Sequence, residues 1–141
     1  MSVSTSPISN VFPFLRCRNA PAQIDWLCKA FGFEIHMTVP GDGGTIAHAE
    51  LRLGAGIVML GSERDDDFRL SSALDLGGVN QGIYVCLREI DDHCVRARAA
   101  GAEIVREPFD TDYGSRDYIA RDPEGNLWAF GTYNPLVSDG T

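Results

Sequence analysis

Lys29-Ala30-Phe31-Gly32-Phe33-Glu34-Ile35 and Arg98-Ala99-Ala100-Gly101-Ala102-Glu103-Ile104 are two versions of one pattern, 69 positions apart. Each runs through a basic residue and two small or apolar residues into a glycine, then through Glu-Ile. A glycine at the end of a helical apolar stripe supplies a left-handed stop, and the segment after it reads as a strand. A weak repeat at half the chain length predicts two similar units side by side.

Reading outward from Gly32, the residues Ile24, Leu27, Cys28 and Phe31 recur at helical spacing, with Asn19 placed to cap the helix and Pro21 in its first turn. Val11–Cys17 precedes it as a short aromatic strand. Glu34–Val39, Thr45–Leu53 and Ile57–Leu60 follow as strands, parted by Pro40-Gly41-Asp42-Gly43-Gly44 and by Gly54-Ala55-Gly56. Around Gly101 the same order returns: a strand over Ile83–Leu87, a helix over Asp91–Ala100, and strands over Glu103–Arg106, Arg116–Arg121 and Leu127–Thr132. Asp122-Pro123-Glu124-Gly125 is a turn joining the last two. The fold class expected is α+β, two βαβββ modules in one chain. The predicted layout is a flexible N-terminus over 1–10 and a single domain over 11–134, then a tail over 135–141. The domain comprises a first module (11–61), a connector (62–80) and a second module (81–134). One helix covers one face of its sheet; the other faces must curl around something, normally a ligand cavity.

The 141 residues include 44% hydrophobic and 23% charged side chains, which is globular composition and excludes a disordered chain. The net charge of −8 argues against nucleic acid as the partner, because neutralising phosphates needs surplus Lys and Arg. No apolar run reaches the length of a membrane span. The start MSVSTSPISN has neither the basic nor the apolar region of a secretory signal. Cys17, Cys28, Cys86 and Cys94 form no C-x-x-C pair and read as buried free thiols, so a cytoplasmic location is expected. The run Glu63-Arg64-Asp65-Asp66-Asp67 reads as a solvated loop, and His36 and His93 as surface residues.

Several motifs in order resemble the glyoxalase/bleomycin-resistance/dioxygenase superfamily, also called vicinal oxygen chelate proteins, over roughly 11–134. They are Phe14-Leu15-Arg16-Cys17-Arg18, Ala30-Phe31-Gly32-Phe33-Glu34, His48-Ala49-Glu50-Leu51-Arg52, Val58-Met59-Leu60-Gly61, Tyr113-Gly114-Ser115-Arg116-Asp117-Tyr118 and, most specific, Ala120-Arg121-Asp122-Pro123-Glu124-Gly125-Asn126-Leu127-Trp128. The resemblance implies paired βαβββ modules and a homodimer. It does not fix a chemistry, since the superfamily includes lyases, isomerases, dioxygenases, thiol transferases and drug-binding proteins. In its metalloenzymes four strands each give a ligand; the corresponding positions here fall on Phe12, Met59, near Gly82 and Ala129, with Gln81 the one near miss. None of those four offers a hard donor, and Gln81 lies one place off, so neither metal nor other cofactor is expected.

Strand alternation places Phe12, Phe14 and Arg16 on the cavity side of the first strand. By the same rule His48 and Glu50, then Ile57 and Met59, then Tyr84 and Cys86 face inward from later strands, with Leu127, Ala129 and Gly131 on the last. Trp128 and Phe130 belong to the helix side. His48 and Glu50 carry three open readings: a polar stripe linked to Arg16 or Arg52, an acid–base pair, or part of a metal site. Arg16 either pairs with Glu50 or grips a ligand carboxylate. Cys86 as a nucleophile would need His48 as its base. The leading functional expectation is a metal-independent small-molecule-binding protein of the antibiotic-binding type, acting by sequestration. Its ligand would sit in a cleft shared by a homodimer, touching Phe12, Phe14, Arg16, His48, Glu50, Met59, Tyr84 and Cys86. The alternative is a glyoxalase-like lyase or isomerase, or a dioxygenase, with an atypical catalytic site at His48 and Glu50.

Overall fold

The computed structural model describes residues 9–137. The loose N-terminus and the tail expected from sequence therefore lie largely outside the described residues. The first module comprises β1 (Phe14–Cys17), α1 (Ala20–Phe31), β2 (Glu34–Pro40), β3 (Ile46–Leu53) and β4 (Gly56–Ser62). A short helix, α2 (Ala73–Leu76), lies in the connector. The second module comprises β5 (Gly82–Cys86), α3 (Ile90–Ala99), β6 (Glu103–Asp110), β7 (Arg116–Arg121) and β8 (Leu127–Gly131). Each module closes one four-stranded sheet, in the orders β1-β4-β3-β2 and β5-β8-β7-β6. The repeat thus appears twice as the same topology, with a parallel outer pair (β1 with β4, β5 with β8) and two antiparallel pairs.

Local chemistry sets the ends of α1. The Asn19 side chain accepts from the Ala22 amide at 3.2 Å, and Gly32 stops the helix at φ 88°. A cap of this kind is worth about 1 kcal/mol. Ile24, Leu27, Ala30 and Phe31 are buried, as the helical spacing requires. Three elements differ from the sequence reading. The first strand begins only at Phe14, leaving Val11 and Phe12 exposed outside it. β6 runs on past Pro108 to Asp110; it is an edge strand, where a missing N–H costs no ladder bond, and its register shifts on either side of Arg106. The connector forms α2 because the Ser72 hydroxyl caps the Asp75 amide at 3.2 Å.

The two sheets meet chiefly through their helices, α1 against α3. Phe31 of α1 fits between the modules, edge-on to Trp128 and Phe130 at ring separations of 5.3 and 4.7 Å. Trp128, Phe130 and Tyr118 are fully buried. Burying a side chain of this size is worth about 1.5–3 kcal/mol, so one shared core holds both halves together.

His93 is not the surface residue expected. It is half-buried, its Nδ1 2.6 Å from the Tyr118 hydroxyl and its Nε2 2.8 Å from the Phe31 carbonyl. A carbonyl only accepts, so Nε2 carries the hydrogen and Nδ1 accepts from the tyrosine. Burial holds the imidazole below its ordinary value of 6.5. The cysteines are free, with Cys17 and Cys94 buried, Cys28 half-buried and Cys86 exposed, the last two against expectation. Burial pushes the thiols of Cys17, Cys28 and Cys94 up. No helix of the described residues is long and apolar enough to cross a membrane.

The Asp122–Asn126 turn, the most specific motif in the sequence, is a buttress between the modules. Glu124 accepts from the backbone amides of Arg18 and Asn19 at 2.8 Å each, which fixes the entry to α1. Asp122 is buried and accepts from the Gln23 amide at 2.9 Å, the Trp128 indole at 2.7 Å and the backbone amides of Glu124 and Asn126.

Candidate ligand-binding site

With the helix sides packed together, the other face of each sheet lies open. Residue alternation puts Phe14 and Arg16 of β1, Met59 of β4 and His48 and Glu50 of β3 on that face of the first sheet. Register lays Phe14 beside Met59 and Met59 beside Glu50. On the second sheet Tyr84 lies beside Ala129, and Ala129 beside Ile119.

A cavity of about 750 Å³ opens where β1 and β5 approach each other beneath the connector. Phe14, Arg16 and Tyr84 line it, together with apolar side chains such as Leu76 and Val79 and the amides of Asn80 and Gln81. The remaining sequence candidates stand off this wall. His48 and Glu50 lie farther across the first sheet, Met59 sits half-buried between them and Phe14, and Phe12 projects from the chain ahead of β1. Cys86 is exposed, its thiol 3.7 Å from the Thr132 carbonyl, while His48 is engaged with Glu50 on the other sheet.

Arg16 does not pair with Glu50. It bonds Asp66 of the connector at 3.4 Å. The acidic run therefore is not wholly solvated; Asp66 also accepts from the Phe68 amide at 3.1 Å. Phe68 brings its ring 5.7 Å from the Arg16 guanidinium and 6.4 Å from Phe14. Glu50 instead bonds His48 Nε2 at 2.9 Å and stands 3.9 Å from His36 Nε2. Arg52 turns to His36 Nδ1 at 2.8 Å and leaves Glu50 alone. His36 is exposed as expected, yet it belongs to this polar cluster, which its place on β2 did not reveal because a register shift between Ile35 and Met37 re-aims it.

On the second sheet, Asp117 is buried and accepts from the Ser115 hydroxyl at 2.5 Å. The Tyr84 hydroxyl donates to the Tyr133 carbonyl at 2.6 Å. Its phenol is pushed up to about 12, chiefly by partial burial, with the Asp117 charge adding and the Ser115 hydroxyl opposing. It therefore remains a neutral donor at neutral pH. Asp117 stands 69 positions after His48, so extending the repeat would have found it; no sequence signal marks Asp66 or Phe68.

Comparison with known proteins places this geometry. A family model for the Glyoxalase/Bleomycin resistance protein/Dioxygenase superfamily matches residues 10–130, and the chain belongs to that superfamily. An uncharacterized protein of Mycobacterium bovis is 31% identical over 137 residues, covering 93% of this chain and 86% of its own. The crystal structure of TioX from Micromonospora sp. ML1 is 32% identical with a TM-score of 0.71, covering 92% of this chain and all of the other. A glyoxalase I mutant from Zea mays, 18% identical with a TM-score of 0.69 over 86% of this chain and 43% of its own, shares the fold.

The superfamily's metal site can be tested against the residues here. Phe12 and Ala129 end in carbon, Gly82 has no side chain, and Met59 offers only a thioether. Among the described residues no three His, Cys, Asp or Glu side chains gather into a ligand set. A divalent hard ion needs oxygen or imidazole donors, so these residues do not fit it.

Proposed function

We propose that the protein binds a small aromatic or polar molecule without a metal, in the cavity at the β1–β5 seam, and acts by holding that molecule rather than converting it. The observation that carries this reading is the composition of the cavity wall: apolar and aromatic side chains with a few converging polar groups, in a volume suited to a small molecule. The donor set at the superfamily's metal positions supports the metal-free part. A screen of aromatic and heteroaromatic compounds by thermal shift, followed by calorimetry, tests it. Hits should weaken on Phe14→Ala and on Tyr84→Leu. A screen whose hits ignore both changes would overturn it.

The open sheet faces support a homodimer. Phe14 is 49% exposed, and Ile35, Met37 and Val39 of the edge strand β2 are exposed apolar side chains that a second copy would cover. Light scattering should give twice the chain mass of 15.4 kDa. Four unpaired thiols suit a reducing cytoplasm.

A second reading, catalysis at His48 and Glu50, is favoured by one observation, their 2.9 Å contact on an open face. An imidazole held by a carboxylate can shuttle a proton. Turnover of any bound hit that disappears in both His48→Gln and Glu50→Gln would move the protein into this class.

A further inference from the structure

The cavity read above as a ligand site has one charged residue on its wall, Arg16. Its side chain is only 8% exposed. Buried guanidinium groups ordinarily spend their planar fork of donors on carboxylates or carbonyls. Here Nε is buried with no hydrogen-bond partner. The one hydrogen bond of the side chain among the described residues, Nη2 to Asp66, is long at 3.4 Å. An unmade donor in a buried site leaves its desolvation uncompensated, so this fork is set for an acceptor it lacks.

What now touches the fork belongs to the connector and is loosely seated. Asp66 offers one oxygen, and its side chain is 28% exposed. Phe68, 61% exposed, lies near the outer range of both cation–π and ring–ring contact with Arg16 and Phe14. The next residue, Arg69, is the one non-glycine residue among those described with positive φ, at 55°, a conformation that residues with a Cβ disfavour. A carboxylate and an aromatic ring, two residues apart, thus rest on an arginine and an aromatic wall through weak contacts on a strained segment.

We propose that the cavity takes an aromatic ligand bearing a carboxylate, and that Asp66 and Phe68 occupy its two anchor points as a displaceable internal stand-in. The ligand's carboxylate engages Nε and an Nη of Arg16 together, and its ring lies against Phe14. The Nε edge of the guanidinium is completed by Nη2, the nitrogen that Asp66 now holds, and two carboxylates brought to the same nitrogen repel each other, so binding releases the segment around Asp66 from β1. The inference rests on the cavity reading and adds the ligand's charge and the competitor it must displace.

The test uses the full chain and three fluorescent probes of one shape: 2-naphthoate, 2-naphthamide and 2-naphthylmethylammonium, followed by anisotropy. Naphthoate should bind about tenfold or more tightly than the amide, as a charge-assisted fork contact implies, and the ammonium most weakly. Arg16→Gln, with folding checked by near-UV circular dichroism, should erase the advantage over the amide. Asp66→Asn, on the exposed connector, should tighten naphthoate by about two- to fivefold, the scale of a part-exposed ion pair. Equal binding of naphthoate and amide overturns the proposal, as does an unchanged preference in Arg16→Gln, an Asp66→Asn variant no tighter than wild type, or no binding by any probe. If the amide or ammonium binds best and responds to Phe14→Ala, the cavity reading survives and the carboxylate assignment falls. If the broad aromatic screen fails as well, both fall.

Discussion

Across β1, β4 and β3 the open face carries Phe14, Met59 and Glu50 in one row; across β5, β8 and β7 the matching row is Tyr84, Ala129 and Ile119. One row farther on, Arg16 lies opposite Gly61, and Cys86 opposite Gly131. The two modules share topology and differ in what they do with it. The first presents ionisable groups to solvent and cavity: Arg16, His36, His48 and Glu50. The second pairs its exposed charges with one another, as Arg116 with Asp91 and Asp110 and Arg98 with Glu107, and turns Asp117 onto Ser115 and Asp122 and Glu124 onto the first module's helix entry. A duplicated scaffold can divide its polar residues unevenly, one copy tying the halves together and the other leaving more of them on its open face.

That division predicts unequal costs. The largest should follow Asp122→Ala, which strands the buried Gln23 amide and the Trp128 indole N–H without acceptors. A loss of about 3 kcal/mol or more is expected, read from the midpoint of urea unfolding. Ala55→Ser, in the matching hairpin turn of the first module, should cost less than about 0.5 kcal/mol. Equal costs would erase the asymmetry. Next comes Gly131→Ala. A Cβ there would run into Asp117 and the Tyr84 hydroxyl, so a cost of about 1–3 kcal/mol is expected, together with a displaced Tyr84 ring visible in a crystal structure.

A smaller effect belongs to the joint between the modules. Burial holds the folded His93 below its ordinary 6.5, so just below 6.5 the unfolded chain takes up a proton that the folded chain refuses. Stability contributed by the neutral ring is present above 6.5 and is lost as the pH falls through that window. Urea midpoints of wild type should drop from pH 7 to pH 5 more steeply than those of His93→Gln; parallel slopes would contradict the assignment. The smallest effect is expected for Glu50→Gln. Its hydrogen bond with half-exposed His48 should be worth less than about 1 kcal/mol to folding. A larger loss would mean that the first module's open face is structural after all.

The sequence carried the scaffold well and the site partly, for reasons visible in particular residues. Gly32, Asn19 and the 69-residue offset are local signals, and they predicted α1 and both modules. Trp128 and Phe130 were legible as core because alternation along a strand fixes their side. Phe14, Arg16 and Tyr84 followed from the same alternation and do line the cavity. Arg16's partner was not legible, because Asp66 comes from a loop whose path is set by contacts 50 residues away in sequence. His93 was misread for a related reason: its two partners, Tyr118 and Phe31, lie on other elements, and no periodicity on α3 announces them.

Phe31 has one further consequence. Its ring is buried by residues of the other half, Trp128, Phe130 and His93, so a half-length chain would display that surface until another copy covered it. Joining the halves through the connector makes this encounter intramolecular, at an effective concentration on the order of millimolar for a short flexible link. Assembly of this core is therefore independent of how much protein the cell makes, and the opposite faces of the sheets remain free for concentration-dependent encounters.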